Sequence, residues 1–237
     1  MAKGKPKSSG LRTGLAARRH PDEPVWWDRG FLPHLESSEL LQHVCYRLAD
    51  SLPEHVVQQM EDELKSLPPS LRDPEKERRV NAYLDAGYGS CVLRIPEIAH
   101  LVERTFLHFH GQRYHLHAWC VMPNHVHVLF QPLGTWTMSK IVASWKSFTG
   151  RRISAFLQTG ALGAGLKPGG PTTGSPGLQP GNRIWQREYF DRYIRDELHF
   201  ANVVNYIHDN PVKAGLVKEP EQWPYSSSAR SIDGNDR

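Results

Sequence analysis

Cysteine is scarce in this 237-residue chain. Cys45, Cys91 and Cys120 are the only three, and no two of them form a C-x-x-C pair. An odd, scattered set excludes a disulfide framework and a cysteine-built zinc centre, and fits a reduced compartment. Long apolar runs are also missing, with nothing near the roughly 20 residues that a membrane-spanning helix needs. Met1-Ala-Lys-Gly-Lys-Pro-Lys7 is basic, but no apolar core follows it, so a secretory leader is not expected. No internal repeat is found.

What is present is unevenly distributed charge. The net charge is +4. Residues 1–20 carry six lysines and arginines and no acid. Residues 21–136 are acidic on balance, with 16 acids against 10 bases. Residues 137–218 reverse this, with 11 bases against 5 acids. Basicity gathered into a tail and one later segment is the electrostatic footprint of a polyanion partner. The candidate contacts are Lys140, Lys146, Arg151 and Arg152 on one predicted helix, then Arg187 and Arg195, with Arg183 and Arg192 nearby. Trp145 and Trp185 are either core residues or platforms for unpaired bases.

Four segments are expected: a disordered basic tail over 1–25, a folded domain over 26–225, a Gly/Pro-rich flexible insertion within it at 159–182, and a disordered tail over 226–237. Gln42–Leu48 reads as a strand. Ser51-Leu-Pro-Glu54 matches a capping box, before a helix with Val56, Val57, Met60 and Leu64 on one face that ends near Pro68-Pro69. Residues 70–85 show no clear period. Ser90–Leu93 reads as a short strand, and a helix begins at Pro96. Residues 113–121 and 125–130 alternate as hairpin strands across a Pro123-Asn124 turn. Thr137 opens a long basic helix, and Asp196 caps another that runs through Ile207 and stops at Asn210-Pro211. Antiparallel strands with helices packed on them predict an α+β sandwich of ferredoxin-like type.

The segment with most chemical content is His125-Val126-His127. On a strand, residues two apart leave the same face, so both imidazoles point one way. Two histidines on a rigid strand are half a metal site. Read alone, an H-x-H is equally a pair of strand histidines with no ligand. A second constellation lies some eighty residues on. Phe200, Val203, Val204 and Ile207 form the apolar stripe of a helix, and Tyr206 and Asn210 are i, i+4 neighbours on its flank. Read alone, these are a flank tyrosine and a helix stop. Together with the histidines they make one chemistry: two imidazoles and an amide oxygen for a hard divalent ion, and a phenol oxygen to attack phosphorus. Tyr189 and Tyr193 are rival nucleophiles that position in the sequence does not eliminate.

Several stretches carry a resemblance: Val121-Met-Pro-Asn-His-Val-His-Val-Leu129, Trp145-Lys-Ser-Phe148, Ile184-Trp-Gln-Arg-Glu-Tyr-Phe-Asp-Arg-Tyr-Ile-Arg-Asp196 and Tyr206-Ile-His-Asp-Asn-Pro-Val-Lys-Ala-Gly-Leu216. Phe31-Leu-Pro-His34 and Arg47-Leu-Ala-Asp-Ser-Leu-Pro53 add to them. The chain resembles the REP-associated tyrosine transposases, a bacterial group of single-tyrosine HUH endonucleases. The resemblance implies an HUH fold, with a central antiparallel sheet flanked by helices. It implies that His125 and His127 bind magnesium or manganese with Asn210 as third ligand, and that Tyr206 is the nucleophile. It further implies cleavage of single-stranded DNA beside hairpins through a 5′-phosphotyrosine, reversible rejoining, and a monomer or homodimer in the bacterial cytoplasm at the nucleoid. A hairpin-binding protein without catalysis and a metal-dependent hydrolase are the alternatives. The Gly/Pro-rich insertion departs from the family pattern, and raises the question of whether Tyr206 reaches the histidines of its own chain.

Overall fold

A computed structural model describes residues 25–28, 33–36, 40–159, 178 and 183–230. The N-terminal tail, nearly all of the insertion and the last seven residues lie outside these. Strands β1 (Val25–Asp28) and β2 (Pro33–Glu36) pair as an antiparallel ribbon. The main body runs β3 (Gln42–Arg47), α1 (Glu54–Leu64), α2 (Pro69–Asp85), α3 (Pro96–Leu107), β4 (Tyr114–Val121), β5 (His125–Pro132), α4 (Met138–Gln158), β6 (Phe190–Tyr193) and α5 (Glu197–Lys213). Its four strands form one antiparallel sheet in the order β4-β5-β3-β6. In chain order that is second, third, first, fourth, the split βαβ arrangement of a ferredoxin-like fold. The expected α+β class is what the chain adopts.

Strand alternation assigns the two faces. Val44 and Tyr46 on β3, Trp119 and Val121 on β4, and Val126, Val128 and Phe130 on β5 enter the main core beneath α3 and α4. Trp145 of α4 is 1% exposed and meets Tyr114, Phe106 and Phe130 edge-on. The opposite face carries His43, Cys45 and Arg47 on β3, and His125, His127 and Leu129 on β5. Helix α5 covers part of it, packing Val203 and Ile207 on Ala118, Cys120 and Leu129. Leu84 at the end of α2 and Leu52 cover the side toward β6, with Phe190 packed against them. The histidines thus lie on the face that α5 closes.

Several local expectations are corrected. Ser51 caps no helix. Its hydroxyl donates to the Leu48 carbonyl at 2.8 Å, and α1 starts behind Pro53 with no side-chain cap. Residues 69–85 are helical, tied by the ion pairs Glu75–Arg79, Glu63–Arg79 and Glu61–Lys76, with apolar Val80 and Leu84 buried toward the C-terminal end. The expected strand at 90–93 is a turn and a short 3-10 helix over Val92–Arg94. Gly89 there has φ +89°, and a Cβ on it would meet the Asp50 carbonyl oxygen at 2.8 Å, so the backbone approach needs glycine. Helix α5 does not stop at Asn210 but continues through Pro211 to Lys213. Proline in the last turn forfeits only the one bond its missing N–H would have made. Buried Asn210 remains helical, its side-chain nitrogen donating to the Tyr206 carbonyl at 2.6 Å. Strand β6 was not anticipated. Order also passes residue 225: Ser226 is buried and bridges to Cys120, and the Ser226 and Ser227 hydroxyls donate to the Trp119 carbonyl. Trp185, like Trp145, is core, with its ring nitrogen donating to the Thr149 hydroxyl at 2.8 Å. Neither tryptophan offers a face to a base. Among the described residues no helix is long and apolar enough to cross a membrane.

Candidate active site

His125 and His127 stand side by side on β5, both 1% exposed, with their Nε2 atoms 3.1 Å apart. Asn124 decides what His125 presents. Its side-chain nitrogen donates to the carbonyls of Leu84 at 3.1 Å and Tyr88 at 3.0 Å. The amide oxygen is therefore the atom 2.7 Å from His125 Nδ1, and an oxygen there can only accept. His125 carries its proton on Nδ1 and turns a bare Nε2 toward His127.

His43 is a third partner that sequence reasoning missed. It lies on β3 opposite Leu129, and its Nε2 is 3.2 Å from Nδ1 of His127. Two protonation patterns satisfy this chain of rings. In one, His127 donates from Nε2 to His125 and accepts from His43. In the other, His127 donates from Nδ1 to His43, and two bare Nε2 atoms face each other. The second pattern requires a cation between them. Two imidazole nitrogens each roughly 2.1 Å from one ion, at about a right angle, stand roughly 3 Å apart. The observed 3.1 Å fits that spacing. His43 addresses the far nitrogen of His127 and is not a third ligand but its orienting partner. Among the described residues no three His, Cys, Asp or Glu side chains group as a metal cluster. An ion here takes two imidazoles and must complete its shell from other donors.

Helix α5 brings polar side chains to this face. The Tyr206 ring lies edge-on to His127, with centroids 5.4 Å apart, and edge-on to His43 at 6.0 Å. The helix of the same chain brings Tyr206 over the histidines, so the insertion does not prevent docking in cis. Asn210 is buried one turn further along the helix. With its nitrogen engaged on the Tyr206 carbonyl, its oxygen is the atom left for a cation. Lys213, two turns beyond Tyr206, places Nζ 5.0 Å from the centre of the tyrosine ring. It too was missed, because the helix was expected to end before it. The sequence signal is the spacing 206, 210, 213.

Electrostatics follow from burial. Burial first, then nearby Arg192 and His199, bring His43 down to about 3. Burial alone does the same for His125. His127 is held well below the usual histidine range by burial, with His125, His43 and Lys213 adding. All three are neutral at pH 7, the form that binds metal. Burial pushes the Tyr206 phenol above its ordinary value, with Cys45, Asp85 and Glu77 adding and an Asn210 hydrogen bond opposing. The phenol is therefore protonated at rest. Burial also raises Asp85 to about 6, with Lys213 opposing.

These histidines make the fold acid-sensitive. In the unfolded chain each titrates near 6.5, so below that pH the unfolded state binds the protons that the folded state refuses. Stability is complete above about pH 6.5 and falls toward pH 3, by about 1.4 kcal/mol per pH unit for each histidine that stays neutral. Thermal melts followed by circular dichroism in chelator are expected to show a clearly lower Tm at pH 5 than at pH 7.5. Equal values would contradict this burial.

The expected DNA contacts divide. Lys146, Arg151 and Arg187 line one groove together with Arg183. Lys140 and Arg152 are exposed on α4 outside it, and Arg195 is exposed just before α5. Of the rival tyrosines, Tyr189 is buried and Tyr193 is exposed on the edge strand β6.

Residues 100–160, which span most of α3 and all of β4, β5 and α4, match the family model described as "Transposase IS200 like". A protein of Haemophilus influenzae named "Putative REP-associated tyrosine transposase" is 47% identical over 49 residues, covering 21% of this chain and 28% of that protein. A "REP-associated tyrosine transposase" of Escherichia coli is 26% identical over 123 residues, covering 50% of this chain and 57% of that protein. The chain thus spans between about a quarter and somewhat over half of the length of these curated relatives. A solved structure of a REP-associated tyrosine transposase bound to a REP hairpin aligns with a TM-score of 0.42 at 19% identity, over 84% of this chain and 87% of that one. The resemblance drawn from the sequence motifs agrees with these relatives.

Proposed function

We propose that this relative of the REP-associated tyrosine transposases is a metal-dependent single-stranded DNA endonuclease and strand transferase that works beside DNA hairpins. The observation that carries the reading is the Tyr206 ring lying edge-on to His127 and His43.

Tyr206 is the nucleophile. Its oxygen bonds to phosphorus as the bond from phosphorus to the 3′ oxygen breaks. The products are a 5′-phosphotyrosine and a free 3′-hydroxyl. The phenolic proton goes to solvent and the departing oxygen takes one up. The reverse step, with the 3′-hydroxyl of another strand, rejoins DNA. His125 and His127 through their Nε2 atoms, and Asn210 through its amide oxygen, would hold a magnesium or manganese ion. When bound, that ion would supply positive charge to the phosphate oxygens, where negative charge builds up. Asn124 and His43 fix the ring orientations from behind. Lys213 adds a cation beside the tyrosine ring, where it favours the phenolate over the phenol.

A labelled single strand with a hairpin, incubated with the protein and manganese and run on a denaturing gel, is expected to give a protein-bound band. The band should disappear when chelator is added. Tight hairpin binding with no such band under either metal would sink the catalytic reading and leave a binding protein.

A further inference from the structure

A groove of about 630 Å³ runs between α4 and residues 183–189. Four cations line it, Lys146, Arg151, Arg183 and Arg187, and among the described residues no aspartate or glutamate does. Its floor on α4 is small: Ala143, Ser147, Gly150 and Ser154 follow one another at helical spacing. They span roughly 16 Å of helix axis. A backbone of phosphates can lie close against such a floor, with hydroxyls and guanidinium groups on either hand. The chain's own insertion is a poor occupant, because residues 160–182 carry one lysine and no acid.

A second cleft, of about 680 Å³, shares Arg183, Gln186 and Tyr189 with the first, but Asp50, Glu54, Glu61 and Glu188 line it as well. Arg47 lines it. Arg47 stands opposite His125 in the strand register and points from the same face. Its guanidinium donates to the Leu52 carbonyl at a long 3.5 Å, and among the described residues no ion pair holds it. With four carboxylates in the same cleft, a phosphate backbone is disfavoured there.

We propose that the cationic groove on α4 is a DNA track. The phosphate backbone lies along the small-residue floor of that groove, with Lys146, Arg151, Arg183 and Arg187 on either hand. The inference rests on the reading of DNA as substrate, but it concerns binding and not cleavage.

The test is fluorescence-anisotropy binding of a labelled hairpin-bearing strand over a salt series, using the full chain. Arg151→Gln with Arg183→Gln is expected to weaken binding at least tenfold at fixed salt. The slope of log K against log salt should flatten by about 2, one for each phosphate contact removed. Lys140→Gln, on the same helix but outside the groove, should leave the slope unchanged. Circular dichroism and manganese binding check that the double variant is folded. The proposal is overturned if the double variant keeps its slope, or if Lys140→Gln flattens it equally. It is likewise overturned if shortening residues 160–177 tightens binding while the arginine changes do nothing, since the insertion would then occupy the groove. Salt-sensitive binding through these arginines without a covalent product would uphold the track and fail the cleavage reading, so the two are separable.

Discussion

Tyr206→Phe is expected to abolish the covalent protein–DNA band and reduce strand cleavage to background, while the fold and manganese binding survive. The substitution removes one oxygen and keeps the ring. That ring packs with the cluster of Ile207, Val203 and Leu129 and lies edge-on to His127. Phenylalanine retains these contacts, so loss of activity would report the missing hydroxyl and not a collapsed site. The same change at Tyr189 is expected to leave the band, because that side chain is 4% exposed in the main core. Tyr193→Phe should also leave it. Tyr193 sits on β6, paired opposite Gln42, and only Tyr206 has rings of the histidine group against it. A Tyr206→Phe protein that still forms the adduct would show that another residue attacks.

The second large effect concerns the metal. His125→Ala or His127→Ala is expected to lower manganese affinity about a hundredfold or more, read by electron paramagnetic resonance of free manganese. Each change removes half of an imidazole pair that stands at the spacing of two ligands on one ion. Two residues that touch no ion should have smaller effects of the same sign. Asn124→Ala frees His125 Nδ1, and His43→Phe frees His127 Nδ1. Losses of this kind run to about 10–100-fold. Full affinity in both outer variants would mean that the rings need no orienting partner. Full affinity in His125→Ala would remove the histidine pair from the metal site altogether.

Much of this site could be read from the sequence because its two halves are local patterns. His125 and His127 share a face by the period of a strand, and Tyr206 and Asn210 share one by the period of a helix. The structure adds that the two faces meet. His43 was not legible, because its role depends on β3 lying beside β5 in one particular register, and no short-range pattern fixes that. Lys213 was hidden behind Pro211, which reads as a helix stop but lies in the buried last turn of α5. The capping box at Ser51 failed because the hydroxyl found a nearer carbonyl at Leu48. Helix α2 went unassigned because its first half is charged and ion-paired, and its apolar positions Val80, Tyr83 and Leu84 gather only near its end. Strand β6 has four residues and little alternation, and pairing with β3 makes it a strand. Trp145 and Trp185 were ambiguous between core and base-stacking roles. Their buried hydrogen bonds to Tyr114 and Thr149 place both in the core.

The central claim is that the oxygen of Tyr206 becomes joined to a DNA 5′-phosphate. The most direct measurement is to trap the adduct with manganese and a hairpin-bearing strand, digest both protein and DNA, and map the modified peptide by mass spectrometry. The account predicts a nucleotide mass on the peptide that contains Tyr206, and on none containing Tyr189 or Tyr193. A nucleotide on either of those tyrosines, or an adduct that maps to no tyrosine, would contradict it.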